Sequence, residues 1–326
     1  MKNKPNPQKK IKQNERGVAL LTILMMVALA TILAAAIAKR QTYTFESTAS
    51  FMQQNQALLY AQSAEAFFLE LLLNDLESEK KVDHLNENWA KPMPAFPIDG
   101  GYVAGQLEDQ TGKFNLSSLV VDGKINEASK QFFERVLVRA NLMPQISEAV
   151  IDWQDSDQET SGGMGAENNY YQGLKFSSLT PNMPMKAVEE LKQVRGFEGN
   201  NYYLIQPYVH ATGKDAVPIN INTAPALILA SIDEKLDIAN VESVLKARKS
   251  QMEYFESVDQ LWTVSPFDQV DEARRSEVTP LLGVESKHFS AKIEVKFGDK
   301  TRQFYSELWR MSEQVFVSQR SMVKDR

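Results

Sequence analysis

The chain contains no cysteine and only three histidines. The first absence removes disulfides, thiolate metal sites and cysteine nucleophiles together. The histidines, His84, His210 and His288, stand far apart and in no ligand spacing, which argues against a histidine-based metalloenzyme. No GxSxG, no HExxH and no P-loop occurs, and carboxylates gather in only one loop, so catalysis is not expected. A basic excess is also lacking. There are 36 Lys and Arg against 42 Asp and Glu, a net charge of −6, the wrong sign for a general nucleic-acid binder. What remains is an ordinary globular balance, 43% hydrophobic and 24% charged over 326 residues. That length suits two domains, or one with a sizeable insertion.

The charge is unevenly spread. Residues 1–17 hold six basic groups (Lys2, Lys4, Lys9, Lys10, Lys12, Arg16) against Glu15, a local +5, so the rest of the chain carries −11 of the total −6. Between leader and body lies the only long apolar run, Val18 to Ala38, 21 residues without charge, Gly or Pro. About 20 such residues span a bilayer as a helix. The basic leader favours a cytoplasmic N-terminus, which puts the acidic body in the periplasm of a bacterium. Three readings compete. A secretory signal would use the small-x-small sites at Ala34-Ala35-Ala36 or Ala36-Ile37-Ala38, although the run exceeds the usual apolar region of roughly 7–15 residues. An uncleaved anchor is the second. The third takes Glu15-Arg16-Gly17-Val18 as a processing junction, because the leader ends in Gly and the apolar helix starts at the next residue.

Beyond Arg40, apolar residues at Leu58, Ala61, Ala64, Phe68 and Leu72 keep a helical period, and no Pro intervenes until Pro92. The spacing predicts one helix from Val18 to about Glu77, on the order of 90 Å long. Residues 91–97 (KPMPAFP) read as a connector, and 101–109 (GYVAGQLED) as a strand. Helical patterns follow over 126–140, 144–153, 185–194, 224–231, 241–251 and 258–261. Phe289, Ala291, Ile293, Val295 and Phe297 then alternate with polar residues, and Gly298-Asp299-Lys300 can turn this strand back into 301–311 as a hairpin. The expected fold is α+β: a long helix packed on a small antiparallel sheet, with an α-helical domain inserted between its strands.

Two stretches carry chemistry. In EAVIDWQDSDQETSGGMGAENNYY, residues 148–171, Asp152, Asp155, Asp157 and Glu159 precede a glycine-rich turn that leads to Glu167, Asn168 and Asn169. Clustered carboxylates repel unless a hard cation sits among them, and oxygen-only ligands suit Ca²⁺. The loop is not an EF-hand. Counted from Asp155, the sixth position is Thr160 rather than Gly, and Glu167 falls one residue late. A solvated acidic turn is the competing reading. In VPINI-Asn222-Thr223-Ala-Pro225, Asn222 or Thr223 can cap the following short helix. This element resembles the opening of helix-hairpin-helix DNA-binding modules. The hairpins that would follow lack paired glycines, and the body is acidic.

The leader junction resembles that of type IV prepilins, where a dedicated peptidase cuts after the Gly and methylates the new N-terminus. Together with the DWQDSD and GAENNYY segments, LKQVRGF and NINTAP, the chain resembles the K-type minor pseudopilins of the type II secretion system (general secretion pathway protein K). Thr22, where prepilins usually have Glu five residues after the Gly, matches the K type as well. The resemblance implies a pilin-like fold with a SAM-like or helix-hairpin-helix-like insertion. Its parts would be a cleaved leader 1–17, a membrane segment 18–38, a helix and first strands 39–114, an insertion 115–287 with units near 115–210 and 218–285, and a C-terminal hairpin and tail 288–326. It implies processing at Gly17 and methylation at Val18. It places calcium on Asp155, Asp157 and Glu167, with Asp152, Asn168 and Asn169 as further ligands. It implies a non-enzymatic subunit of a Gram-negative inner membrane, single-pass, at the tip of the pseudopilus, supporting protein secretion across the outer membrane. Its partners would be the I- and J-type minor pseudopilins, the major pseudopilin fibre and prepilin peptidase, with no nucleic acid. The alternative is a membrane-anchored periplasmic DNA-uptake protein.

Overall fold

The computed structural model describes residues 8–77, 81–213, 216–312 and 314–323, with side chains from residue 17 to 322. The first seven residues of the expected leader and the last three of the tail lie outside the described residues. The chain divides into two units, 1–59 and 60–326.

Helix α1 runs Gln8–Leu76. It therefore begins inside the leader rather than at Val18, because nothing in the leader after Pro7 interrupts a helix. In the first unit, the segment from Gly17 onward is long and apolar enough to cross a membrane. Its leucines and isoleucines from Val18 to Ile37 are exposed, as a lipid-facing helix requires. Thr22, Thr31 and Thr42 return their hydroxyls to carbonyls of the preceding turn, so none presents an unsatisfied polar group.

In the second unit, the end of α1 packs Ala61, Ala64, Phe68 and Leu72 into the core. The elements that follow are β1 (Met93–Ile98), β2 (Gly101–Asp109), β3 (His288–Phe297), β4 (Lys300–Met311) and β5 (Gln314–Val323). They form one antiparallel sheet in that order. The expected strand 101–109 and the expected hairpin are both present. Two strands are additional. β1 occupies the proline-rich connector, since an edge strand tolerates prolines that lack N–H donors. β5 occupies what reads as a tail. Phe289, Ala291, Ile293, Val295, Phe304 and Leu308 form the buried face of the sheet. Glu65 of α1 reaches the same sheet, accepting from Ser306 at 2.5 Å and from both Arg320 donors. Burial alone would raise its pKa, but Arg320 and Ser306 hold the carboxylate below its ordinary value.

Everything between Asp109 and His288 leaves the sheet and returns to it between neighbouring strands, Asp109 pairing with Phe289. Its helices are α2 (Glu127–Arg139), α3 (Ile146–Gln154), α4 (Asn168–Gln172), α5 (Asn201–Ile205), α6 (Ala226–Ala230), α7 (Ile238–Ser250), α8 (Val258–Leu261) and α9 (Glu272–Val278). Asn126 caps α2 through the Ser129 N–H and Asp237 caps α7 through the Asn240 N–H. The expected helix 185–194 is instead a 3₁₀ turn, Val188–Gln193, because Pro184 and the following Met-Lys-Ala leave it short and capped by Glu190. One contiguous buried cluster, from Phe114 to Leu282, fills both halves of the insertion.

The root of the insertion is polar, and its buried Asp109 is fully bonded. Asp109 is 7% exposed and accepts from the Thr111 N–H, the Thr223 hydroxyl and the Ser286 hydroxyl. Burial pushes its pKa up, and these three donors oppose that shift. Arg310 of β4 joins Asp75 at 2.6 Å, Asp83 and the Ser286 carbonyl. Gly112 is required here, since a Cβ would lie 2.6 Å from the Thr223 hydroxyl. Removing one member of a buried ion pair costs roughly 3–5 kcal/mol. Arg310→Met should therefore lower the stability of the second unit by about that amount in urea unfolding. A change below about 1 kcal/mol would show that Asp75 and Asp83 do not depend on it.

Candidate metal centre

The acidic loop is built by the C-terminal turn of α3 and the N-terminus of α4. Asp152 lies in the last turn of α3 and Asp155 is its C-terminal cap. Glu167 is the residue preceding α4. One carboxylate oxygen from each of these three lies within 4.8 Å of the other two, and all three residues are buried. Asp152 Oδ2, Asp155 Oδ1 and both oxygens of Glu167 have no hydrogen-bond partner. The second oxygen of Asp152 is used, accepting from the Ser161 N–H at 2.9 Å. Gly165 passes so close that a Cβ would stand 2.4 Å from Asp152 Oδ2. The glycine-rich turn thus exists to let the backbone close over carboxylates.

Other predicted ligands are placed differently. Asp157 is exposed, and its Oδ1 accepts from the Glu159 N–H. Its charge still acts on Asp155 and Glu167. Asn168 gives its carbonyl oxygen to the N–H and hydroxyl of Thr180 at 2.8 and 3.0 Å, so that oxygen fastens a neighbouring loop. Asn169 is exposed. Gly17 and Val18 lie within uninterrupted α1, and a side chain at Gly17 would meet no atom within 4 Å. Any requirement for glycine there is not imposed by the fold.

The electrostatics follow from the geometry. Burial, then the charges of Asp157 and Asp152, pushes Asp155 up to about 6. Burial, then Asp152, Asp155 and Asp157, pushes Glu167 up to about 7. Burial likewise raises Asp152. Buried carboxylates without donors are costly, and a divalent cation relieves both desolvation and mutual repulsion. The donors are all hard oxygens and none is a histidine, which fits Ca²⁺ in preference to a transition metal.

A second group, Asp75, Asp83 and Glu87, also brings three carboxylates together. It differs because Arg310 already occupies it, and Glu87 accepts from the Trp89 indole and the His84 N–H. It needs no metal. Its cation comes from a strand more than 200 residues away, so local spacing gave no sign of it.

The NINTAP segment is absorbed by the root of the insertion. Asn220 donates to Asp83 O and Ser286 Oγ, Asn222 bridges to Phe255 in both directions, and Thr223 binds Asp109. Neither Asn222 nor Thr223 caps α6, whose preceding residue is Pro225. The α6–α7 turn carries Asp233, Glu234 and Asp237, and Arg139 holds its carbonyls, including Leu236 O at 2.6 Å. That turn offers carboxylates where phosphate binding needs free N–H groups and cations.

The sign of the pH dependence is fixed by these shifts. Without cation, the folded state holds protons that the unfolded state has released between about pH 4 and 7, so stability falls as pH rises through that window. Ca²⁺ binds the deprotonated form. The gap in melting temperature between Ca²⁺ and chelator should therefore widen from pH 5 to pH 8. Glu167→Gln should raise the melting temperature in chelator and shrink the response to Ca²⁺. A melting temperature indifferent to chelation at every pH would leave the loop without a cation.

The models of the family described as type II secretion system (T2SS), protein K, match residues 112–214 and 219–285. The type II secretion system protein K of Pseudomonas aeruginosa is 32% identical over 310 residues, covering 92% of this chain and 90% of that one. That of Aeromonas hydrophila is 30% identical over 333 residues, covering 95% and 97%. A chain of the crystallised GspK-GspI-GspJ complex from enterotoxigenic Escherichia coli shares the fold, with a TM-score of 0.76 at 24% identity over 85% of this chain and 99% of that one. With relatives of this identity aligned along nearly their whole length, the chain belongs to the type II secretion system protein K family.

Proposed function

We propose that this chain is a non-enzymatic minor pseudopilin that caps the tip of the type II secretion pseudopilus, bound to I- and J-type minor pseudopilins, and so supports protein export across the outer membrane. The observation that carries the proposal is where the insertion leaves the sheet. Asp109 and His288 stand at the end of the sheet where α1 terminates, marked by the Arg310–Asp75 pair. In a fibre built on such helices, this is the end on which the next subunit would stack. An insertion of this size there blocks further addition.

Thr22 supports the same position. Its hydroxyl is satisfied by Ala19 O at 2.8 Å and it offers no carboxylate to a neighbouring N-terminal amine. The structural relative was crystallised together with GspI and GspJ, which supports those two as partners. In this reading Asp152, Asp155 and Glu167, with Asp157 beside them, hold calcium, which supplies the positive charge the loop lacks. The leader stays in the cytoplasm, the segment 18–38 crosses the inner membrane and the body is periplasmic. Prepilin peptidase cuts after Gly17 and methylates Val18, and the major pseudopilin continues the fibre below.

Two outcomes test this. Gold label on a tag in the exposed 158–163 loop should mark one end of isolated pseudopili, and labels spread along their length would refute the cap. N-terminal mass analysis of the membrane form should find methylated Val18. Gly17→Leu, which the helix accommodates, should leave the leader attached while the soluble fold stays intact. A mature start at Ile37 or Lys39 would overturn the prepilin reading.

A further inference from the structure

Two of the three histidines, 78 residues apart, meet at the root of the insertion. His210 belongs to a short parallel ladder in which Phe114 pairs with Val209 and Asn115 with His210. His288 is the first residue of β3. The two residues are 2% and 6% exposed, and their Nδ1 atoms stand 3.4 Å apart. His288 also stacks on Trp309 at 4.8 Å between centroids, and its Nε2 lies 2.9 Å from Glu307 Oε2. His210 Nε2 is buried and has no hydrogen-bond partner.

We propose that the His210–His288 pair is a proton-sensitive latch between the insertion and the sheet, closed when the pair shares one Nδ1 proton and opened when each ring carries its own. In the closed state one Nδ1–H donates to the other Nδ1, as the 3.4 Å separation allows. Glu307 faces His288 Nε2 and matches one positive charge at most. A second Nδ1 proton from solvent would turn both facing nitrogens into donors, so that the bond between the rings is lost and two N–H groups face each other. The charges around His210 do not help it. Lys113, from the crossing that follows β2, is positive and lies 14% exposed beside it. The nearest carboxylate to Lys113 is Glu108, which pairs with it at 2.7 Å. Burial, then His288 and Lys113, holds His210 well below its ordinary value, in agreement with a neutral latch at pH 7.

The linkage has one sign. A histidine depressed in the folded state takes up its proton in the open state first, so the closed form loses ground as pH falls below about 6.5, the ordinary histidine value. Each pH unit below that favours opening about tenfold per proton gained. The parts affected are those the pair joins, namely the 114–115/209–210 ladder and the start of β3, whereas the β3–β4 hairpin at Lys296–Thr301 should be indifferent.

Amide exchange on the full chain in detergent, at saturating Ca²⁺ so that the acidic loop does not titrate, reads this directly. Corrected for intrinsic rates, opening at Asn115 and His210 should rise about tenfold from pH 6 to pH 5, with no change around Lys296–Thr301. His210→Gln should remove the dependence. Lys113→Met, which removes one of the causes that lower the closed-state value, should shrink the total span of the dependence and let it level off at a higher pH. If His210→Gln does not fold, the imidazole resonances of the unaltered chain decide. A His210 that titrates near 6.5 with no rise in exchange overturns the latch, as does equal pH dependence in His210→Gln.

Discussion

The structure depends on a buried carboxylate, Asp109, at the point where the chain leaves the sheet. A long insertion joined to a scaffold by two chain crossings would pivot unless the crossings were locked to each other. Asp109 does this by accepting from the outgoing crossing at Thr111, from the returning crossing at Ser286, and from the middle of the insertion at Thr223. Thr111 adds its own clasp, its hydroxyl accepting from the N–H groups of Lys287 and His288. A charge buried this way is stable only because each donor is itself fixed. That requirement explains why Asn220, Thr223 and Ser286, polar residues in an apolar surrounding, are buried or nearly so.

The same logic separates the two acidic clusters. Around Asp75 and Asp83 the protein supplies its own cation, Arg310, and donors for the rest. Around Asp152, Asp155 and Glu167 it supplies no cation, and four carboxylate oxygens are left without partners. Charge that is balanced in one case and unbalanced in the other is the physical distinction between a structural ion pair and a candidate cation site. Asn168 and the Asp157 carbonyl connect this loop to the segment that follows, through Thr180 and Asn182, so its order bears on more than its own residues.

Much of this was legible in the sequence. The apolar run, the alternation at Phe289–Phe297 and the amphipathic pattern of α2 each reflect local periodicity, and each appears where expected. The carboxylates and glycines of 152–167 marked an acidic loop by composition, and the fold brings three of those carboxylates, Asp152, Asp155 and Glu167, together. What local pattern could not carry was contact across distance. β5 lacks a clean alternation because an edge strand buries little, and β1 hides among prolines. Asn168 reads as a ligand by type but serves as a loop tie, since its oxygen meets Thr180 first. Asn222 and Thr223 read as helix caps but bind Phe255 and Asp109, which only the folded root brings near. The pairing of His210 with His288 has no sequence signal at all.

In the proposed cap, one copy of this fold terminates each fibre. That is tested most directly by counting. Pseudopili sheared and sorted by length can be digested and quantified by mass spectrometry for this chain against the major subunit. One copy per fibre, whatever its length, is the predicted result. A ratio to the major subunit that stays constant as fibres lengthen would contradict it, because the insertion would then be accommodated at every level of the fibre.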